Sequence, residues 1–469
     1  MPTRGTTQKR ELVREVIVTL LLVVLYRIGV HIPIPYLREN TLVHFFDERS
    51  LERISVLALG LMPYVSASIV VEICSLFVPF LKKLRKGDYP GRRKLKGYAL
   101  WITLFLAVLQ SYFLVEGLVG MTSPTGFPAL KIGYFYEYAI IVLVLTGGVF
   151  FLICIAEVIS RYGIGNGLSI LLFTGVCAGY SHNIGKMKSL VDGEGLSLFP
   201  FFIIFFIVLL AVILLRTEIR IPFKHSALRE PFSFFQLNTC PSGNVAIGYA
   251  TSLIMLPFLL FPSLGRNELF GEISSPGSLI YNVVLVVFIF VLSYLFAYLF
   301  LHPRRRFNTM SERGWQVNRG DHNALKNLSR KLLIYNVPWT VLLCLLAIIA
   351  RVLITRFDVP FYIGGSTFLV VVAVSIDIFD RLNVLRRSKS GALCKIAELH
   401  DVYDASIIKR HMESEGITCH FQGYYHRRIL YFLGPYIDMS VMVSEGDREA
   451  AEELMRAYHG GLGLLRDID

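Results

Sequence analysis

One acidic side chain stands in the middle of an apolar run. Glu72 lies in the stretch 52–97 together with Gly60, Pro63, Ser66 and Ser68. A carboxylate there can face water in a path through a membrane, or a partner helix. Against hydrocarbon it is costly and tends to protonate. A plain anchor gains nothing from a Gly-Pro break, whereas a helix bordering a water-filled path tolerates both features. The end of the same stretch carries eight Lys/Arg against one acid, Asp88. Elsewhere the side chains suited to covalent chemistry do not assemble. There is no GxxxxGK[ST] phosphate loop, no nucleophile elbow and no HExxH pair. Seven cysteines are scattered without a CxxC; Cys74, Cys154, Cys177 and Cys344 fall in apolar runs, so packing is expected of them rather than a disulfide framework. His400, His411, His420 and His426 lack metal-ligand spacing and are expected at the surface. The sequence thus predicts no enzyme, no metal site and no cofactor.

Composition dictates the elements that must position Glu72. The chain has 469 residues, of which 54% are hydrophobic and 17% charged, and its mean hydropathy is +0.56. Soluble domains carry about 25% charge. A membrane core of roughly 30 Å needs about 20 apolar residues in a helix. Ten stretches approach that requirement: 12–30, 54–80, 98–118, 135–159, 166–181, 199–215, 246–262, 280–301, 332–350 and 363–380. No cleavable leader is expected before the first, because no small-residue cleavage site follows its basic flank. The net charge of +12 is distributed unevenly. The amino terminus and residues 81–97, 216–231 and 302–331 are basic, whereas 118–134 holds only Lys131 and 263–279 only Arg266 against Glu268 and Glu272. This alternation is the positive-inside pattern, which predicts cytosolic ends for the even-numbered spans and for both termini. Ribosomal RNA remains compatible with the same charge.

Ten spans divide into two halves of five, and an odd number makes the halves inverted. Inverted repeats place a pathway at their interface and line it with broken helices. Breaks recur: Gly60 and Pro63 in the second span, five glycines in GIGNGLSILLFTGVCAG of the fifth, Pro257 and Pro262 in the seventh, and Gly364-Gly365 before the tenth. Close helix packing is the better explanation of any single glycine; the four breaks in symmetric positions favour a pathway. At 383–391 a polar linker begins a different domain. LCKIAEL alternates as a strand, 402–415 repeats apolar positions as an amphipathic helix, TCHFQGY, RILYFL and DMSVMV read as short strands, and a last helix runs to about Tyr458. The order is β-α-β-β-β-α or β-α-β-β-α. The fold class is therefore an all-α polytopic membrane protein with a small α+β tail. Its expected divisions are 1–385, a linker at 386–391, and 392–469.

Several segments together resemble the SecY family, the central subunit of the Sec protein-conducting channel. YRIGVHIPIP (26–35), ISVLALGLMPYVSAS (54–68), GRRK (91–94), LAVLQSY (106–112), RYGIGNGLSILLFTG (161–175) and FYIGGSTFLVVVAVSIDIFDRL (361–382) occur in that family's order. The tail resembles a small bacterial signal-transducing domain with a ferredoxin-like look. For residues 9–385 the resemblance implies a channel in the bacterial cytoplasmic membrane. It passes unfolded secretory polypeptides and releases membrane spans laterally into the lipid bilayer. Implied partners are SecE-like and SecG-like membrane subunits, the SecA motor, the ribosome and preprotein signal sequences.

The resemblance also implies site residues. A pore ring of aliphatic side chains falls on Val65, Ile69, Leu172, Val176, Leu253 and Val370; apolar constrictions exclude ions. Glu72 and Gln110 fall at the lateral gate, between spans two and three on one side and seven and eight on the other. Glu72 stands where relatives have a neutral amide. Glu157 matches a family acid near the cytosolic end of the fourth span, where a solvated helix end explains it better than a special role. Cytosolic partner binding is implied for Arg220, Lys224 and Arg229 after span six and for Arg313 and Arg319 after span eight. Relatives have more chain between HIPIP and ERISV, where a plug folds. Here Leu42, Val43, Phe45 and Phe46 form a reduced plug, or the plug is lost and the ring seals alone. Two other functions are weighed against the channel: a specialised second-copy translocon with restricted substrates, and an inverted-repeat secondary transporter of a small solute. A transporter calls for paired intramembrane charges, and Glu72 has no evident partner in the sequence.

Overall fold

A computed structural model describes residues 4–38, 54–86, 89–120, 129–181, 199–216, 218–222, 224–225, 234–238, 245–260, 272–273, 278–300, 315–316, 330, 333–334, 336–349, 365–387, 393–399, 402–429 and 439–458. Helices dominate it. They are α1 (Arg4–Val30), α2 (Met62–Phe77), α3 (Pro79–Lys86), α4 (Tyr89–Val119), α5 (Phe135–Tyr162), α6 (Gly167–Ser181), α7 (Phe199–Arg216), α8 (Val245–Leu260), α9 (Leu279–Phe300), α10 (Asn336–Ile349) and α11 (Gly365–Arg387). With α3 set aside, each coincides with one of the expected apolar stretches. Arg93–Val119, Phe135–Tyr162 and Leu279–Tyr298 are long and apolar enough to cross a membrane by length and composition alone. The chain divides into two compact units, Met1–Leu172 with Phe432–Asp438, and Phe173–Tyr431 with Met439–Asp469.

In the first unit α2 packs on α4, α4 on α5, and α1 on α5. The second span differs from its expected extent of 54–80. Residues 56–61 are turns, the helix begins only at Met62 with Pro63 in its first turn, and it ends at Phe77. Gly60 adopts φ 56°, a left-handed conformation that glycine reaches without a Cβ penalty. Proline has no N–H to lose in a helix's first turn, so the break and the helix start coincide. At the other end Val78 is extended, and α3 follows as a separate piece. Sixteen helical residues rise about 24 Å, short of the roughly 30 Å core. The remainder is irregular backbone lying on other segments. Val56 N–H bonds to the Ile32 carbonyl at 3.0 Å, and Ser55 bridges Pro33. Leu37 bridges Leu130, and these pieces cover a cluster of Ile34, Ile54, Val115, Leu118, Leu130, Ile141 and Leu145.

Two glycines of α5 and its following turn make the packing possible. A Cβ on Gly148 would lie 2.2 Å from the Val56 carbonyl oxygen, and one on Gly167 would lie 1.9 Å from that of Ala156. The GIGNG turn is further tied down by hydroxyls. Thr19 of α1 accepts the Ile164 N–H at 3.0 Å, and Ser160 accepts that of Gly167 at 2.8 Å. Asn166 then accepts the Ser169 N–H at 3.2 Å, an N-cap for α6.

In the second unit α8 packs on α9 and on α11, and α7 on α11. Outside these helices lies a hairpin of β1 (Glu218–Pro222) and β3 (Phe234–Asn238), antiparallel with Arg220 opposite Gln236. Between them β2 (Lys224–His225) pairs with β4 (Trp315–Gln316), joining the loop after α7 to the loop after α9. The carboxy-terminal residues form β5 (Leu393–Leu399), α12 (Val402–Ser414), β6 (Cys419–Gln422), α13 (Tyr424–Ile429), β7 (Met439–Ser444) and α14 (Arg448–Tyr458). The sheet order is β5-β7-β6, antiparallel throughout. Its core is Ile396, Val402, Ala405, Ile408, Met412, Phe421, Val441, Val443 and Met455. One expected strand is a helix at its start: Arg428 and Ile429 of RILYFL complete α13, and the rest lies outside the described residues. Gly423, at φ 79°, turns the chain out of β6. The cap for the helix that follows comes from Asp377 of α11.

Candidate pore and gate residues

The six ring positions stand on four helices. Val65 and Ile69 lie one turn apart on α2; Val65 is half-buried and Ile69 buried. Leu172 and Val176 are half-buried on α6. Leu253 on α8 is 39% exposed and Val370 on α11 is 7% exposed. Val65, Ile69 and Leu172 belong to the first unit and Val176, Leu253 and Val370 to the second. Within the second unit Leu253 and Val370 sit on helices that pack directly on each other.

The polar positions separate into two kinds. Ser66 is half-buried, but Ser68 is fully buried and its hydroxyl donates to the Tyr64 carbonyl at 2.7 Å, so it is satisfied within its own helix. Gln110 is half-buried on α4, the helix packed against α2. Glu72 lies on α2, and its side chain is outside the described residues. Glu157 is held by two cations: Lys96 Nζ donates to it at 2.9 Å from α4, and Arg161 Nε at 3.1 Å from the next turn. This pair ties the ends of α4 and α5 together, which is a structural role at a partly exposed helix end.

Arg220 lies on β1 and Lys224 on β2, with side chains outside the described residues. Arg229, Arg313, Arg319 and the plug candidates Leu42, Val43, Phe45 and Phe46 also fall outside them.

Two polar clusters were missed in the sequence. Between α9 and α10, Ser293 and Thr340 hydroxyls meet at 2.8 Å, Asn336 Nδ2 donates to Ser293 at 3.3 Å, and all three are fully buried. Interhelical polar contacts of this sort hold membrane helices together. The i, i+4 spacing of Asn336 and Thr340 inside an apolar run was the available signal. The second cluster joins α11 to the carboxy-terminal domain. Asp377 Oδ1 accepts the Tyr425 N–H at 3.2 Å, and Arg381, one turn on, is buried. His420, expected at the surface, is 4% exposed: β6 packs directly on α11 and carries it inside. Burial, then the positive charges of Arg381 and Lys409, push its pKa down to about 3, so the imidazole is neutral. His411 is half-buried; His400 and the His426 side chain lie outside the described residues.

Among the described residues no group of His, Cys, Asp and Glu is placed to hold a metal.

The SecY family model matches residues 55–379, and a model described as "Putative prokaryotic signal transducing protein" matches 393–459. The protein translocase subunit SecY of Aquifex aeolicus is 30% identical over 411 residues, covering 80% of this chain and 94% of the relative. A structure of a SecY protein, studied for the plug domain that stabilises the closed translocation channel, superposes with TM-score 0.55 at 16% identity, covering 81% of this chain and 93% of that one. The yeast Ssh1 complex bound to the 80S ribosome gives TM-score 0.52 at 13% identity, covering 81% and 91%. The structures show the fold. The family model spans well over half the chain and takes in the broken second span, the GIGNG turn and the first part of α11; this chain belongs to the SecY family.

Proposed function

We propose that the chain is the pore-forming subunit of a Sec-type translocon, which passes unfolded secretory polypeptides across the bacterial cytoplasmic membrane and releases membrane spans sideways into lipid. The observation that carries this reading is the match to the SecY family over residues 55–379. In this reading residues 1–385 form the ten-span channel with both termini cytosolic, 386–391 the linker and 392–469 an appended domain. Val65, Ile69, Leu172, Val176, Leu253 and Val370 close around the polypeptide, because an aliphatic constriction yields to a chain but excludes ions. The irregular backbone at 56–61 supports a pathway, since non-helical backbone at membrane depth needs protein or a cavity around it. Glu72 and Gln110 line the lateral gate. SecE-like and SecG-like subunits, SecA and the ribosome assemble with the chain through its membrane faces and cytosolic loops. The chain itself hydrolyses nothing; work comes from the motor or from translation. The appended domain favours a translocon with a restricted substrate set as the second reading.

Depletion of the protein is expected to accumulate unprocessed preproteins in the cytosol. Cysteines at Val65 and Val176 are expected to crosslink to a stalled nascent chain. Normal export with failed solute uptake would sink the channel reading, and absence of crosslinks at both positions would sink the ring.

A further inference from the structure

The carboxy-terminal domain does not hang free of the helix that leads into it. Its α13 and β6 both pack on α11. The contact is specific at one point: the Asp377 carboxylate accepts the Tyr425 N–H at 3.2 Å in the first turn of α13. A helix start leaves N–H groups without intrahelical acceptors and carries partial positive charge, so a carboxylate there is a cap. Here the cap comes from 48 residues upstream. Next to it Arg381 of α11, Arg427 of α13 and His420 of β6 are each at most 6% exposed. Arginine side chains are buried this deeply only where a packed interface holds them.

The same domain reaches the cytosolic loops. Its α12 packs against β3, the second strand of the hairpin that follows α7. The end of α7, where that loop begins, is joined to α11 through Arg216 and Asp380 at 3.3 Å, and the loop is joined to the one after α9 through the β2–β4 pairing. One assembly therefore contains the end of α11, both loops and the appended domain.

We propose that the appended domain is an intramolecular cap on the hairpin after the sixth span, docked through Asp377, and that the hairpin, which carries the basic Arg220 on β1 with Lys224 on the adjoining β2, is open to the anionic RNA surface of a ribosome only when this domain undocks. The second half of the statement rests on the reading that the loops meet such a partner; the first half does not. Domain and hairpin share one contact surface through α12 and β3, so a partner that needs that face of β3 must displace α12. Asp377 lies outside the domain, so its substitution leaves every side chain of the domain's own core in place while it removes the cap from α13.

Docking is tested first, without any partner. A specific protease site is inserted within 388–392 of the full-length protein in nanodiscs. After cleavage the domain should stay with the membrane fraction. In Asp377→Ala it should be released at least tenfold faster, and Asp377→Asn, which keeps an acceptor oxygen, should lie between. Release from the otherwise unaltered protein at the rate of the Ala variant overturns docking. The cover is tested by hydrogen exchange at the backbone amides of β3. Exchange should be about tenfold slower with Asp377 present than in Asp377→Ala, and equal rates overturn the cap. Empty ribosomes serve as the probe partner: the Ala variant should bind them several-fold more tightly, and unchanged affinity overturns competition for the hairpin. Preprotein transport, measured in parallel, reports the channel reading separately.

Discussion

His420 shows how one side chain records its tertiary surroundings. Its pKa is depressed by burial first, then by Arg381 from α11 and Lys409 from α12. The unfolded chain returns it to the ordinary value near 6.5. Between about 3 and 6.5 the unfolded state therefore binds the extra proton, and stability rises with pH across that window. The contribution is complete above pH 6.5 and is lost as pH falls towards 3. Unfolding of the appended domain in the full-length protein, followed by hydrogen exchange at β6, should become up to about tenfold more favourable per pH unit below 6.5. In His420→Gln this share of the pH dependence should disappear; a profile unchanged by the substitution would exclude His420 as its source. Cys419 beside it is similarly enclosed, and burial raises its thiol pKa to about 12, which suits packing rather than reactivity.

At the scale of elements, the second span depends on a neighbour. Its entry at 56–61 is held locally by turn bonds, Ala58 N–H to the Ser55 carbonyl and Gly60 N–H to that of Leu57, each at 2.9 Å, and lies against α5, where Gly148 leaves room for the Val56 carbonyl. Gly147, adjacent in the same helix, has open space where a Cβ would go. The pair gives an internal control. Gly147→Ala should be neutral or stabilise by up to about 1 kcal/mol through helix propensity. Gly148→Ala should destabilise by about 1–3 kcal/mol through overpacking against backbone. Thermal unfolding in detergent would separate them, and equal midpoints would refute the close approach. The helix α13 teaches the same lesson in reverse. RILYFL has the apolar alternation of a strand, yet the chain turns helical at Tyr424 after a left-handed glycine and receives its cap from another element.

For the whole molecule, a channel assembled from such broken helices exposes broad apolar faces. Trp101, Phe105 and Phe113 of α4 and Leu143 of α5 each stand more than half exposed. Lipid covers part of such surface, and the proposed function adds a small membrane subunit. A SecE-like protein should therefore copurify with the chain in mild detergent at about one copy each; purification of the chain alone, with transport intact, would contradict this. The docked domain adds a second whole-molecule property, because an element from the end of the chain lies on the loop after the sixth span.

The sequence by itself determined that this is a polytopic helical membrane protein with a small α+β tail. Hydropathy, charge alternation and strand or helix periodicity are local properties, and neighbours within a few residues fix them. It also carried the family, through HIPIP, LGLMPYVSAS and GIGNG. The tertiary structure decided what distance in sequence hides. It shortened the second span to Met62–Phe77, turned part of RILYFL into a helix, buried His420 and brought Ser293 to Asn336 and Thr340. Each of these depends on a partner far along the chain: Val56 on Gly148, Tyr425 on Asp377, His420 on Arg381. A close approach or a cap supplied from another element leaves no trace in the local pattern, because the energy that selects it exists only once the two elements have met.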